Sequence, residues 1–276
     1  MYKVLSKDTI ENEILPHLST AKRGFKTKSC LTEIINCILY KLKTGIQWHM
    51  LPVRGLFSDV ILNYKTVYGH FRKWCKNGEW ESSWVKILKK HRSKLDLSTS
   101  SIDGSHTRAL RGGEEVCFQT RKMSKTTNAL YLTNNQGLPL ALSSPTAANH
   151  HDLYEIEDRL EELFNTLSRA TISVDGLFVN ADAGFDSAGF RDKCFKDGVI
   201  ANTAINPRNG NSDEVIIFDE MLYEQRYTIE RTNAWVDSYR TLLNRFETKT
   251  ATWKAFNYLA FMSILFNKIN KNEKSR

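Results

Sequence analysis

Apolar positions in the first third of the chain recur with the period of an α-helix. Leu31, Ile34, Ile35, Ile38, Leu39 and Leu42 share one face, which predicts a helix with Ser29 as N-cap and Gly45 as its stop. A second stripe runs through Val60, Tyr64, Val67, Tyr68, Phe71 and Trp74 to a break at Lys76-Asn77-Gly78, then resumes with Trp80, Trp84, Ile87 and Leu88. After the polar, serine-rich "SKLDLSTSS" the pattern changes. "NALYLTNNQGLPLALSSPT" reads as two strands around an Asn134-Asn135-Gln136-Gly137 turn. Asp152 followed by Glu155 reads as a capping box for a helix that buries Leu153, Ile156, Leu160, Leu163 and Phe164. "LFVNA" and "GVIANTAI" are further strands, and "YEQRYTIERTNAWVDSYRTLLNRF" is expected to be one long helix. This order predicts an α/β fold, a mixed sheet covered by helices, behind an all-α region that resembles a helix-turn-helix unit. The boundary falls at the serine-rich stretch: residues 1–95 helical, residues 96–276 built on the sheet.

Charge separates the same two regions. Residues 1–95 carry 18 Lys and Arg against 7 Asp and Glu, whereas residues 96–276 carry 21 against 24, and the whole chain of 276 residues stands at +8. A basic region set with aromatics suits a polyanion, since each neutralised phosphate releases a counterion, although a solvated basic surface has the same composition. Lys65, Arg72 and Lys73 are the candidate DNA contacts in this part, and Arg121, Lys122 and Lys125, in the expected loop "QTRKMSKTT", are candidates for backbone phosphate in the other. Five scattered cysteines without a C-x-x-C pair fit reduced thiols. No signal-peptide pattern or membrane-length apolar run is evident, and "WKAFNYLAFMSILF" reads as a packed helix, so a cytoplasmic chain is expected.

Three carboxylates stand at the edges of apolar elements: Asp103 in "SSIDGSHTR", Asp182 in "FVNADAGFDS" and Glu230 in "RYTIERTNAW". Strand ends can bring the first two together, and a following helix can lay the third beside them. Hard oxygen donors in such a group suit Mg²⁺ or Mn²⁺, and a two-ion site can serve phosphodiester chemistry. Asp175 and Asp186 compete with Asp103 and Asp182, but Asp175-Gly176 reads as a turn and Asp186 as a helix cap. On a continuous last helix, Tyr223, Glu230 and Asp237 would fall in line with Arg226 close by, and Trp235, Tyr239, Leu242, Leu243 and Phe246 would face the sheet. His150-His151-Asp152 invites a zinc reading, against which stands Asp152 as a cap with His151 near the site.

Taken together, "CILYKLKTGIQWHMLP", "TVYGHFRKWCKNGEW", Asp103-Gly104-Ser105, "GLPLAL", Ala148-Asn149 with Asp152, "ADAGFDS" and Tyr223-x-x-Arg226-x-x-x-Glu230 resemble the Asp-Asp-Glu transposases of bacterial insertion sequences, in the insertion-sequence-five group. The resemblance covers most of the chain. It implies a ribonuclease H-like core with Asp103, Asp182 and Glu230 as catalytic metal ligands for two Mg²⁺ or Mn²⁺ ions, supported by Tyr223, Arg226 and His151. It implies cleavage and strand transfer on double-stranded DNA, the terminal inverted repeats and the target, by a homodimer on DNA in the nucleoid-bearing cytoplasm. The related pattern has a lysine where this chain has Asp237, so its phosphate contact would be absent here or supplied by Arg231, Arg240 or Lys249. The rival readings are a transposase-derived DNA-binding regulator without catalysis, a plain nuclease of the same fold, and a phosphatase with Asp103 as nucleophile.

Overall fold

The computed structural model describes residues 4–20, 29–56, 63–209 and 218–274, so Val60 lies outside the described residues. Helices α1 (Leu31–Thr44), α2 (Tyr64–Lys76) and α3 (Glu79–His91) come first. Strands β1 (Ser100–Ala109), β2 (Cys117–Gln119), β3 (Ser124–Asn134) and β4 (Pro139–Leu142) follow. The rest of the chain adds α4 (Ile156–Arg169), β5 (Phe178–Ala181), α5 (Ala188–Lys196) and β6 (Ile200–Thr203), then α6 (Thr228–Asp237) and α7 (Thr250–Lys274).

Contacts gather the chain into two units, residues 1–87 with 236–276, and residues 88–235. This differs from the division expected at residue 95, because α7 belongs with the N-terminal helices. The reason is apolar area. The stripes on α1 and α2 need a partner, and α7 supplies it: Phe256 stacks on Phe71 at 4.6 Å, and Phe261 meets Trp84 edge-on at 5.6 Å. Lys41 Nζ is buried in the same unit, over the Trp48 ring and near Glu247. Phe256→Ala should therefore destabilise this unit by about 3–5 kcal/mol, read by urea denaturation. No described helix is long and apolar enough to cross a membrane, and the five cysteines are free thiols.

Helix ends depart from the sequence reading in three places. The N-cap of α1 is Cys30, with Ser29 buried one residue earlier, while Gly45 does end the helix at φ +69°. At α5 the cap is Ser187, whose Oγ accepts from Phe190 N, because Asp186 is held by Arg191 instead. Helix α4 starts only at Ile156, with Glu155 at φ +49° and no side-chain cap, because the Asp152 carboxylate is engaged elsewhere.

The second unit is built on a mixed sheet in the order β2-β3-β1-β5-β6, with β4 also paired to β3. β2, β3 and β4 run antiparallel to their neighbours, while β1, β5 and β6 are parallel. The α/β class with a preceding helical region is thus as expected. Gly137, at φ +77°, makes the turn between β3 and β4. The expected loop at Gln119–Thr127 is instead a tight turn, Thr120–Lys122, between paired strands.

The long final helix is broken. Glu220–Tyr223 is one short helix, Glu224–Tyr227 a 3₁₀ turn, α6 ends at Asp237, and Arg240–Leu243 is separate. Tyr223 and Arg226 therefore precede the helix of Glu230 rather than sharing its face. Leu243 and Phe246 are exposed for the same reason, whereas Tyr239 and Leu242 are buried.

Candidate active site

The site is set by register. In the parallel pair β1–β5, Ser100 faces Val179 and Ser101 faces Asn180, an offset of 79 residues. Asp103 and Asp182 are separated by the same 79 residues, so continuing that register sets them level, two residues past the last pair, where the strands part. Strand alternation then gives them the same side of the sheet. Asp182 is half-buried, and its Oδ1 accepts from Gly184 N at 2.8 Å, capping the turn Ala183–Phe185.

Asp103 is half-buried, and its Oδ1 accepts from Gly104 N at 2.8 Å. Burial pushes its carboxyl up to about 7; the Gly104 N–H opposes this, and the negative charges of Asp152, Asp182 and Glu230 add to it. Those three groups therefore stand within electrostatic reach of Asp103. Glu230 is exposed on α6, which is held to the sheet by its other side. Thr228 Oγ1 meets Ser101 Oγ at 3.2 Å, Thr232 Oγ1 meets Thr133 Oγ1 at 2.8 Å, and Thr232 also donates to Gly137 O.

Among the described residues, no group of three or more His, Cys, Asp or Glu stands close enough together to hold a metal ion. The donor chemistry nevertheless fits a hard divalent cation. Every group acting on Asp103 by charge is a carboxylate, and a half-buried carboxyl that holds its proton near neutrality is one that a cation would relieve.

The competing aspartates have other partners. Asp186 accepts from Arg191 Nε and Nη2 at 2.9 and 2.7 Å and from Asn206 N at 2.7 Å. Asp175 lies in a turn against Gly198, as expected from Asp175-Gly176. His151 is exposed, and its Nδ1 accepts from Leu153 N, so the ring serves its own loop.

Ahead of α6, Arg226 lies over the Tyr223 ring at 5.7 Å. A pair of buried asparagines positions this segment. Asn202 Nδ2 donates to Asn180 Oδ1 at 2.8 Å, Asn180 Nδ2 donates to Leu222 O, and Asn202 accepts from Asp219 N. Sequence reasoning missed both, although polar residues inside the apolar runs "LFVNA" and "VIANTA" were the signal. Of the basic candidates, Lys65, Arg72, Lys73, Arg121, Lys122, Lys125 and Arg240 are exposed, and Arg231 is half-buried over Tyr227.

Asp152 also was not foreseen in its observed role. Its Oδ1 accepts from Asn128 Nδ2 at 2.7 Å and lies 2.0 Å from where a β-carbon on Gly104 would stand. Gly104→Ala should push that carboxylate off Asn128 and cost about 1–3 kcal/mol, measured by denaturation.

A family model described as "Transposase DDE domain" matches residues 94–265, and a model for transposases of the IS4/5 family matches residues 9–84. An insertion element IS402 protein of 16.2 kDa from Burkholderia cepacia is 33% identical over 82 residues, 29% of this chain. The chain spans about half, 52%, of the length of that curated relative. Among solved structures, the piggyBac transposase synaptic complex with hairpin DNA matches with a TM-score of 0.52 at 11% identity, covering 100% of this chain and 77% of that one. That likeness concerns the fold alone. The Mos1 mariner paired-end complex with Mn matches at a TM-score of 0.31 and 11% identity, covering 89% of this chain and 80% of that one, a level that carries no argument.

Proposed function

Because the chain belongs to the transposase DDE-domain family, we propose that it cuts DNA at the ends of an insertion sequence and joins the freed ends to a target. The observation that carries this reading is the level placement of Asp103 and Asp182, with the charge of Glu230 reaching Asp103. These three would hold two divalent ions, Mg²⁺ or Mn²⁺. Bound there, such ions supply an activated oxygen nucleophile and charge neutralisation at the leaving oxygen.

The chain's own residues do the rest. In cleavage, a water oxygen bonds to phosphorus as the P–O3′ bond breaks, leaving a 3′-hydroxyl. In strand transfer that hydroxyl bonds to a target phosphorus and releases a target 3′-hydroxyl. Arg226, stacked on Tyr223, would meet phosphate oxygens, and the Asn180–Asn202 pair anchors the backbone just before it at Leu222. His151 supports the site only through its loop.

Lys65, Arg72 and Lys73 on α2, together with Arg121, Lys122, Lys125, Arg231 and Arg240, are the proposed phosphate contacts to double-stranded DNA. The basic excess of residues 1–95 supports a role for Lys65, Arg72 and Lys73 at the terminal repeats. A DNA-contacting role for the basic residues 1–95, a homodimer on DNA and a site of action in the bacterial cytoplasm complete the proposal.

The test is a Mg²⁺-dependent assay with labelled duplexes carrying the element's ends. Nicking followed by a covalent donor–target product supports transposition. Cutting without joining would identify a nuclease, and binding without cutting a regulator.

A further inference from the structure

Exposed apolar side chains and cations share one end of the sheet. Phe118 on β2 is 50% exposed, Met123 in the β2–β3 turn 75%, and Leu110 just past β1 62%. Between residues 108 and 125 the chain carries five Lys and Arg against two Glu. A lone exposed apolar residue is ordinary, but three together on a basic hairpin mark an interaction surface. The turn is also held in one shape. Gln119 Oε1 accepts from Arg121 N at 3.0 Å, Met123 N donates to Thr120 O at 3.1 Å, and Met123 takes a left-handed φ of +47° that side chains disfavour.

Strand register gives the hairpin its side of the sheet. Asp103 on β1 is paired with Tyr131 on β3, Ser105 with Ala129 and Thr107 with Thr127, while Lys125 on β3 is paired with Phe118 on β2. Tyr131, Ala129, Thr127 and Lys125 alternate by twos and so share a face, which puts Lys125 and Phe118 on the Asp103 side. Lys125 lies six residues along β3 from Tyr131, about 20 Å. A DNA strand with its reacting phosphate at Asp103 covers that distance in about six nucleotides while helical, and in fewer when drawn out.

Cations alone would suit the phosphates of any duplex. The exposed ring adds a contact that a duplex does not use, because paired bases stack on one another, whereas an unpaired base offers its face to an aromatic side chain. We propose that the β2–β3 hairpin binds unpaired nucleotides of the DNA beside the cut, with Phe118 stacking on a base and Lys125, Arg121 and Lys122 meeting the flanking phosphates. The proposal rests on the transposase reading for the place of the reacting phosphate, and its test needs no metal ion.

The experiment is fluorescence anisotropy on the full chain without divalent ions, comparing a fully paired end duplex with the same duplex bearing a short unpaired arm at the cut end. Wild type should bind the armed duplex about 10-fold more tightly. Phe118→Leu keeps the apolar bulk and removes the ring. It should lose that preference while binding the paired duplex as wild type does, and Phe118→Tyr should retain it. An abasic site moved along the arm should weaken wild type at one position and leave Phe118→Leu unaffected there. A wild type that binds both DNAs equally, or a Phe118→Leu that keeps the preference, overturns the hairpin site and leaves the transposase reading standing. Equal losses by Phe118→Leu on both DNAs make the residue structural, and also overturn it. A wild type that binds neither DNA overturns the transposase reading as well.

Discussion

Asp182→Ala is expected to lower cleavage of a transposon-end duplex by at least about 1,000-fold, the equivalent of roughly 4 kcal/mol of transition-state stabilisation. Affinity for the same duplex should stay close to wild type. The reasoning is positional. Asp182 sits level with Asp103 at the point where β1 and β5 part, and its only described hydrogen-bonding duty is to cap a single 3₁₀ turn. Losing that cap costs about 1 kcal/mol, so a large effect on rate would have to come from chemistry. Gel-based cleavage and filter binding on the same preparation separate the two. Near-normal cleavage by Asp182→Ala would end the assignment.

Asp103→Asn should make the ion-free protein more stable at pH 8, by on the order of 3 kcal/mol. Burial, then the charges of Asp152, Asp182 and Glu230, lift the folded carboxyl from its ordinary 3.8 to about 7. Such a group binds its proton more tightly folded than unfolded. Its favourable contribution is therefore complete below 3.8 and is lost as pH climbs through 7. The asparagine variant escapes that loss, so the two proteins should converge in acid and diverge in base. Added Mg²⁺ or Mn²⁺ should raise the melting temperature of wild type and leave Asp103→Asn unmoved. Denaturation against pH, with and without ions, reads both effects. A wild type more stable than the variant at pH 8 without ions would contradict the electrostatic picture of the site.

Much of the fold was legible because periodicity reports burial. The stripe of α1, the β3–β4 turn at Gly137 and the two parallel strands "LFVNA" and "VIANT" all lie where the pattern puts them. The last helix was misread because its apolar spacing survives the break at Glu224–Tyr227. Spacing alone does not tell a 3₁₀ turn from α-helix. The affiliation of α7 was invisible for another reason, since its apolar residues announce that they need a partner but not which one.

The proposed trio, Asp103, Asp182 and Glu230, stands out in the sequence as carboxylates beside apolar runs. Asp152 was hidden by a competing local rule: an aspartate three residues before a glutamate, at the start of a helical stripe, is a standard cap. Its actual partners, Asn128 and the void above Gly104, come from two other strands. No local pattern records that.

Setting Asp103 and Asp182 by strand pairing rather than by chain length has an evolutionary corollary. The connections between β1 and β5 can grow or shrink, even by whole hairpins, while the acid pair stays aligned. Deleting one residue inside β5 would rotate Asp182 to the wrong side of the sheet. Variation among relatives should accordingly accumulate in those connections and be nearly forbidden within a few residues of the strand.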